Sequence, residues 1–307
     1  MPMTRDVVTI GTFDGVHRGH QSVLTVARAT AAAHGGKCIA YTFDVPPRAI
    51  TGEDEPRLLL PPSTKRLLLK RWVDRVFEAP FHELRELEPR AFVTEVLVGE
   101  LAAGAVVVGE SFRFGRGRTG DVSVLAKLAC DAGLELTVVP ALTIGEEPVS
   151  STRIRRLLQT GDIARAASLL GRPPLLLGAV VPGDGIGRTL GFPTANLSLD
   201  PRILLPRHGI YLSRTFGAGI RSQALTYVGS RPTMSESPVR CEVHLLEDPR
   251  RDLRGETIEV HLHALLRTDR AFATLDDLRR QMSLDLEAAR LAANAFPDRG
   301  DPDPFGG

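Results

Sequence analysis

Cysteine is scarce in this chain: Cys38, Cys130 and Cys241 are its only three, and each lies in a different apolar segment. Cysteines this far apart form neither the dense disulfide framework of a small secreted domain nor a Cys-x-x-Cys metal site. We therefore expect three buried thiols in a reducing compartment.

The chain also lacks an excess of charge of either sign and any long apolar run. Its 38 Lys and Arg side chains nearly balance 37 Asp and Glu, for a formal net charge of +1. This balance creates no strong field to attract nucleic acid or a membrane surface, so we expect a small-molecule ligand. No apolar stretch approaches the ~18 residues of a membrane span, and no signal-peptide pattern opens the chain. We expect a cytoplasmic protein; the sequence sets no oligomeric state.

The 307 residues suffice for about two domains. From residue 6 to about 170, short apolar segments alternate with amphipathic ones. The strand candidates are VVTIG, KCIAYTF, VDRVFEA, AAGAVVVGE and LELTVVPAL, and the helix candidates are GHQSVLTVARATAAAHG, PSTKRLLLKR, PRAFVTEVLVGEL, DVSVLAKLACDAG, STRIRRLLQTG and IARAASLLG. Strands that are apolar almost throughout predict a doubly wound, Rossmann-like α/β domain with a parallel sheet.

The sequence pattern changes after the GRPP stretch at 171–174. LLLGAVVPG, GIYLSRTF, SQALTYVGS, VRCEVHLLED and TIEVHLHALLR are separated by turn residues, which predicts an antiparallel β-barrel. One amphipathic helix, TLDDLRRQMSLDLEAARLAANAF, follows. We place the first domain at 1–172, the second at 173–296, and a disordered Pro/Gly/Asp-rich tail at 297–307.

The segment GTFDGVHRGH follows the first strand candidate, which ends at Ile10. With a helix beginning near Gly19 or His20, the segment lies at the carboxyl edge of the sheet, where open α/β folds bind ligands. Glycines let a nucleotide approach the main chain, and N–H groups at a helix start favour phosphate oxygens. His17 and His20 are then placed to donate hydrogen bonds to the same phosphates.

GTFDGVHRGH resembles the signature of the nucleotidyltransferase superfamily that includes adenylyl- and cytidylyltransferases. A second signature of those enzymes, a Ser/Thr-rich loop with a downstream arginine, is matched by SSTRIR at 150–155. The resemblance implies that the nucleotide is bound by Gly11, Phe13, Asp14, Gly15, His17, His20, Ser151, Thr152 and Arg155.

Nearly the whole chain resembles one family, the bacterial bifunctional riboflavin kinases/FMN adenylyltransferases, also called FAD synthetases. The matching segments, in the family's order, include VVVGESFRFGRGRTGD, GRTLGFPTANL, GIY, VGSRPT, CEVHLL and ALLRTDRAF. The resemblance implies that ATP phosphorylates riboflavin to FMN, and that a second ATP adenylylates FMN to FAD and releases pyrophosphate. It implies Mg²⁺ with ATP and no permanently bound organic cofactor, since the flavins are substrates and products.

PGDGIGRTLGFPTANL combines a glycine-rich turn with a Pro-Thr-x-Asn segment and has no Walker-type lysine. Phosphate binding must then rest on backbone N–H groups, Arg188 and a metal. Thr194 and Asn196 share one face of an extended strand, where their oxygens suit Mg²⁺; without the family they read as a polar pair in a turn. The resemblance assigns Thr194 and Asn196 to the metal and to the nucleotide of the kinase. It assigns Gly183, Gly187 and Arg188 to the nucleotide.

Glu242 stands in VRCEVHLL, a strand otherwise apolar at alternate positions. By itself it is either a solvent-facing residue or a buried acid with a purpose. The resemblance makes it the base that deprotonates the ribityl hydroxyl of riboflavin, and places His17, His20 and Arg188 with it among the catalytic residues.

GESFRFGRGRTGD interleaves aromatic and basic residues, a pattern that also fits nucleic acid or a solvated arginine face. The resemblance assigns this loop to the flavin. The flavin-binding set it implies is Ser111, Phe112, Arg113, Phe114, Glu242 and Arg267.

Four places depart from the family pattern. Val45-Pro46-Pro47 lacks the histidine of a Pro-His-Pro, Ser111 stands for Asn or Asp, Tyr227 for Asn, and Arg254 for Tyr. Each lies in a region expected near flavin, so these departures affect flavin affinity more than the chemical steps.

Two alternative functions follow: a riboflavin kinase with weak or absent adenylyltransferase activity, and a flavin-binding carrier or regulator with little turnover. The intact HxGH, SSTxIR and PTAN motifs and Glu242 argue against the carrier.

Overall fold

The computed structural model describes residues 5–43, 57–80, 84–230, 239–247 and 252–293. The chain divides into two compact units. One comprises Met1–Leu58 with Pro62–Ser151, and the other comprises Leu59–Pro61 with Thr152–Gly307.

The first unit contains a five-stranded parallel sheet. Its strands are β1 (Asp6–Ile10), β2 (Cys38–Phe43), β3 (Arg75–Ala79), β4 (Ala103–Gly109) and β5 (Glu135–Val139). The order is β3-β2-β1-β4-β5, and every neighbouring pair is parallel. The five strands predicted from apolar runs are confirmed. The order reverses between β1 and β4, so the carboxyl ends of these two strands flank the position where such sheets bind ligands.

Helices connect these strands because apolar side chains recur at helical spacing between them. They are α1 (Arg18–His34), α2 (Pro62–Leu69), α3 (Pro89–Ala91), which runs into a π-helix at Phe92–Glu100, and α4 (Val122–Asp131). The core lies between sheet and helices, with Val8, Val106 and Leu97 fully buried. A small hairpin that the sequence did not predict, β6 (Thr143–Ile144) and β7 (Glu147–Pro148), ends this unit.

The second unit is a closed barrel with helices. It begins with α5 (Ser151–Thr160) and α6 (Ile163–Leu170) and ends with α8 (Leu275–Ala293). The strands are β8 (Leu175–Val181), β9 (Ala195–Leu199), β10 (Gly209–Gly217), β11 (Ile220–Gly229), β12 (Arg240–Leu245) and β13 (Thr257–Thr268). They close in the order β10-β11-β12-β9-β8-β13, with antiparallel neighbours. The predicted barrel and terminal helix are confirmed; the short α7 (Ile186–Thr189) was not foreseen.

Two surfaces of the barrel wall are buried in different ways. Inside, Ser213 and Thr226 share a buried hydrogen bond between hydroxyl oxygens 2.7 Å apart. Outside, Ala289 of α8 packs against Leu212 and Leu225. The helix therefore covers one side of the barrel, and the segment that leads into it from β13 stays beside the strand ends.

Cys130 contradicts the expectation of three buried thiols. Cys38 and Cys241 are buried, but Cys130 is exposed. Helix α4 buries Leu125 and Ala129, and the next residue along a helix is turned by about 100°. Cys130 therefore faces away from the core.

Val45-Pro46-Pro47 and the 297–307 tail lie outside the described residues. Across the described ranges, no helix is both long and apolar enough to cross a membrane.

Helices α5 and α6 pack with the barrel even though the sequence grouped them with the sheet. The Arg207 backbone N–H donates to the carbonyl of Leu158 at 2.9 Å. A Cβ on Gly161, whose φ is +84°, would come within 2.5 Å of the Leu265 side chain. The turn between the two helices thus lies directly against the barrel wall.

We therefore predict that the barrel is more stable with these helices than without them. A fragment of residues 152–296 should melt at a higher temperature than one of residues 175–296, by more than about 5 °C, because the shorter fragment exposes apolar surface at Leu262 and Leu265. Thermal unfolding followed by circular dichroism measures the difference. Equal midpoints would show that the helices add nothing to the barrel.

Candidate active sites

The loop after β1 is held in an uncommon backbone conformation. Phe13 and Val16 have φ of 48° and 40°, and Gly15 has φ of 83°. Left-handed backbone at two non-glycine residues is costly and persists only where the surroundings fix it. Here Phe13 and Val16 are buried, with 2% of each exposed. The loop is therefore a preformed cradle at the carboxyl end of β1.

His17 and His20 form one unit at the end of this loop. His17 caps α1, because its Nδ1 accepts a hydrogen bond from the His20 backbone N–H at 3.3 Å. The helix accordingly begins at Arg18, one or two residues before the predicted start. The two imidazole rings are stacked, with centroids 3.6 Å apart, and the Phe13 ring meets His20 edge-on at 5.4 Å. A Cβ on Gly19 would lie 3.2 Å from the His17 ring, so a larger residue at this position would crowd the stacked imidazoles.

His20 is held in its neutral form. Burial is the main cause that lowers its pKa well below the ordinary value of 6.5, and the nearby His17 and Lys65 lower it further. Its Nδ1 is buried and has no hydrogen-bond partner among the described residues. A buried ring nitrogen left open at a ligand-binding edge is available to a substrate group.

Lys65 is a site residue that sequence reasoning missed. Only 7% of it is exposed, and its Nζ donates to the Phe43 carbonyl at 2.7 Å and to Thr42 Oγ1 at 3.1 Å. Thr42 Oγ1 donates in turn to the Thr12 carbonyl at 3.2 Å. The contacts tie the end of β2 to the loop after β1. The available signal was a lysine at i, i+3 and i+4 spacing with Leu68 and Leu69 on the apolar face of α2.

The two nucleotidyltransferase signatures meet in the structure. Ser151 begins α5, and its Oγ donates to the Asp14 carbonyl at 2.9 Å. Thr152 lies in the same first turn and is exposed, while Arg155 lies one turn further along and is half-buried. Gly11 remains tied to the sheet, because its N–H donates to the Tyr41 carbonyl at 3.1 Å.

The predicted flavin loop follows β4, the neighbour of β1, and so lies at the same sheet edge. Its Phe112 and Phe114 rings are stacked with centroids 5.5 Å apart, and Phe114 is buried. Ser111 and Arg113 are exposed, and the Arg113 guanidinium lies 3.8 Å from the Asp121 carboxylate. The aromatic pair anchors the loop while Ser111 and Arg113 face outward.

In the barrel, three predicted or noted residues form a row across neighbouring strands. Tyr227 on β11 is directly opposite Glu242 on β12, and Glu242 is directly opposite Asn196 on β9. Paired positions of this kind have Cβ atoms about 5 Å apart and side chains on the same face. A phenol, a carboxylate and an amide therefore lie side by side.

The glycine-rich turn lies over the Asn196 end of this row. A Cβ on Gly183 would come within 2.1 Å of Asn196 Nδ2, and one on Gly187 within 3.2 Å of Thr194 Oγ1. Only glycine permits this approach. Arg188 on α7 is exposed and close enough to act on Asp252, whose pKa falls to about 2 mainly because Arg254 donates hydrogen bonds to it, with a smaller contribution from Arg188.

A cavity of about 450 Å³ opens beside this row, and Gly187 of the glycine-rich turn also lines it. Its lining includes Thr194, Tyr227, Glu242 and His244 together with Arg267, Phe272, Leu278 and Met282. The size and the apolar lining with few polar groups are typical of a small-molecule site.

Arg267 shapes this cavity through an ion pair. Its Nε and Nη2 donate to the Asp285 carboxylate at 2.9 Å and 2.8 Å, and its guanidinium lies 5.7 Å from the centre of the Phe272 ring. Gln281 also donates to Asp285, at 2.7 Å. The pair fixes the segment between β13 and α8 against the helix.

Comparison with known proteins finds a matching family for each part of the chain. A family model described as FAD synthetase matches residues 2–153, and one described as riboflavin kinase matches residues 170–293. The bifunctional riboflavin kinase/FMN adenylyltransferase of Escherichia coli strain K12 is 36% identical over 293 residues, which cover 94% of this chain and 93% of the relative. The enzyme of the same name from Pseudomonas fluorescens is 36% identical over 299 residues, with the same coverage of 94% and 93%. A crystal structure described as a macrolide-efflux protein from Streptococcus pneumoniae superposes with a TM-score of 0.84 and 29% identity over 94% of each chain.

We predict that His20 titrates well below pH 6.5 and that Lys65→Met raises its pKa, because the substitution removes a neighbouring positive charge. NMR titration of the imidazole carbons measures both values, and Lys70→Met, an exposed lysine at the end of the same helix, is the matched control. A depressed histidine pKa contributes stability above the unfolded value of 6.5 and loses it as pH falls toward the folded value. An unchanged His20 pKa in Lys65→Met would contradict the influence of Lys65.

Proposed function

The chain belongs to the family of bifunctional riboflavin kinases/FMN adenylyltransferases, and from that membership we propose how its residues divide the two reactions. It phosphorylates riboflavin to FMN with ATP, and it adenylylates FMN to FAD with release of pyrophosphate. We assign adenylylation to the parallel-sheet unit and phosphorylation to the barrel. The observation that carries the assignment is the position of Glu242, which lines the cavity together with Gly187 and is paired with Asn196, against which the glycine-rich turn packs.

In the kinase reaction, ATP phosphates bind under Gly183 and Gly187, and the flavin ring occupies the cavity. Glu242 then stands where the two substrates meet. It accepts the proton of the terminal ribityl hydroxyl as that oxygen bonds to the γ-phosphorus and the bond to the β,γ-bridging oxygen breaks, releasing ADP. Its place on a paired strand fixes the carboxylate more firmly than a loop would. Arg188 supplies positive charge from the exposed end of the turn.

The residues around Thr194 suit Mg²⁺ bound together with ATP. Thr194 Oγ1 and Asn196 Oδ1 are hard oxygen donors, and Gly183 and Gly187 let the backbone of the turn pack directly against these two side chains. Both donors are neutral, and the described ranges hold no cluster of three or more His, Cys, Asp or Glu side chains fit for a metal. Such a pair matches an ion that keeps most of its ligands from phosphate and water. When bound, Mg²⁺ neutralises phosphate charge, while Thr194 and Asn196 orient it.

In the adenylyl transfer, an FMN phosphate oxygen bonds to the α-phosphorus of ATP, and the bond to pyrophosphate breaks. This chemistry needs charge stabilisation more than covalent help. The His17 ring and the neutral His20 ring donate to the phosphate oxygens together with the N–H groups at the start of α1. Ser151, Thr152 and Arg155 are also assigned to nucleotide binding, and FMN lies along Ser111, Phe112 and Arg113.

The remaining expectations stand as parts of the same proposal. The partners are ATP, riboflavin and FMN, without nucleic acid or a membrane, and the enzyme works in the cytoplasm. The functional division runs at 172/173, although residues 152–170 group with the barrel by contacts.

Glu242→Gln tests the kinase assignment. The amide keeps the shape of the side chain but accepts no proton, so FMN formation should fall about 10²-fold to 10⁴-fold. Adenylylation of supplied FMN should not change. Separation of flavins by chromatography after incubation with ATP and Mg²⁺ measures both activities. Glu247→Gln, exposed just past the same strand, is the control; wild-type FMN formation in Glu242→Gln would remove this carboxylate from the mechanism.

His20→Ala tests the adenylyltransferase assignment. Loss of one preorganised donor should reduce FAD formation from supplied FMN by about 10²-fold or more, with FMN formation from riboflavin near normal. His34→Ala, at the far end of the same helix, should retain both activities. If His20→Ala lowers both activities equally, the sites are not divided as proposed; a wild-type chain that makes FMN but no FAD would favour the kinase alone.

A further inference from the structure

Tyr227 is the residue in the catalytic row to which no role has been given. Its side chain lines the cavity beside Glu242, and its hydroxyl donates to Asp269 Oδ2 at 2.9 Å. The same hydroxyl lies 3.3 Å from the Ser230 carbonyl. The ring is therefore fixed at its far end by a residue 42 positions away in sequence.

The space for this arrangement is made by Gly229. A Cβ there would lie 2.5 Å from the Tyr227 hydroxyl and 2.9 Å from Asp269 Oδ2. The ring thus leans along its own strand toward the strand end, and any larger residue at 229 would push it away from Asp269. Tyrosine, glycine and aspartate form one packed group.

Asp269 is itself well placed to hold the ring. Its Oδ1 accepts the Arg270 backbone N–H at 2.8 Å, and its own N–H donates to the His208 carbonyl at 3.2 Å. It begins the segment that carries Phe272, which also lines the cavity. The Tyr227–Asp269 hydrogen bond therefore joins β11 to the segment after β13, beside the proposed base.

We propose that Tyr227 is a positioning residue of the kinase reaction: its ring, fixed by Asp269, confines the hydroxylated side chain of riboflavin against Glu242. A flexible five-carbon chain has many ways to miss the base, and a hydroxyl reacts only when held within hydrogen-bonding distance of it. On one side of Glu242 stand Asn196 and the glycine turn; on the other, the Tyr227 ring closes the space. This inference rests on the proposed kinase site.

Tyr227→Phe keeps the ring and removes only its attachment. Because flavin binding depends mostly on the apolar cavity, we expect kcat for riboflavin phosphorylation to fall roughly 5-fold to 10-fold, as for loss of one hydrogen bond, with KM changed less than 2-fold. Tyr227→Ala should lower kcat further. Asp269→Ala should reproduce the effect of Tyr227→Phe, and the double variant should show no added loss.

Binding of lumiflavin, which has the ring system but no ribityl chain, separates positioning from damage to the cavity. Its affinity, followed by flavin fluorescence, should stay within 2-fold of wild type in Tyr227→Phe. Tyr211→Phe removes a phenol hydroxyl bonded to the Arg207 carbonyl elsewhere in the barrel and should leave kcat unchanged. Far-UV circular dichroism of each variant reports an intact fold.

Wild-type kcat in Tyr227→Phe, equal loss of lumiflavin affinity, or additive effects of Tyr227→Phe and Asp269→Ala would each overturn the positioning role. A wild-type chain that leaves riboflavin unphosphorylated would instead overturn the proposed kinase site on which this inference rests.

Discussion

A triphosphate must come within hydrogen-bonding distance of the main chain, and this constraint shapes both halves of the molecule. Neither phosphate-binding segment has a Walker lysine, so backbone N–H groups must do most of the binding, and side chains must not stand in the way. Gly19 leaves room for the stacked histidines, and Gly183 and Gly187 lie against Asn196 and Thr194. The two proposed sites thus use main-chain N–H groups for phosphate binding, although the folds of the two units are unrelated.

The backbones differ in how they place the groups around the phosphate. In the sheet unit, the carboxyl ends of parallel strands β1, β2 and β4 lie at one edge, and buried Lys65 donates to the end of β2, from which Thr42 donates to the loop after β1. In the barrel, the groups come from paired positions on the neighbouring strands β11, β12 and β9. In our proposal, the first arrangement combines the positive charge of Lys65 with the neutral His20 imidazole, whereas the second places a single carboxylate, Glu242, between two substrates.

Much of this was predictable because short-range patterns determine it. Apolar periodicity predicted the five sheet strands and the barrel, and the spacing of His17 and His20 predicted their shared site at a helix start. Lys65, the Tyr227–Asp269 hydrogen bond and the placement of α5 and α6 were not predicted, because they depend on contacts between residues 20 or more positions apart. Cys130 was misjudged because an apolar segment was taken as wholly buried, while its helix buries one face only.

Glu242, which lies in a row with Tyr227 and Asn196, also disfavours incorrect pairing of β12 with its neighbouring strands. Its neighbours Cys241 and Val243 are buried, with 2% and 1% exposed. A slip of β12 by one residue would turn every side chain of the strand over, exposing these two and forcing an ionised carboxylate into the barrel interior, where desolvation is severe. The shifted pairings that would remove Glu242 from its proposed place as the catalytic base are thus the ones that its own carboxylate makes unfavourable.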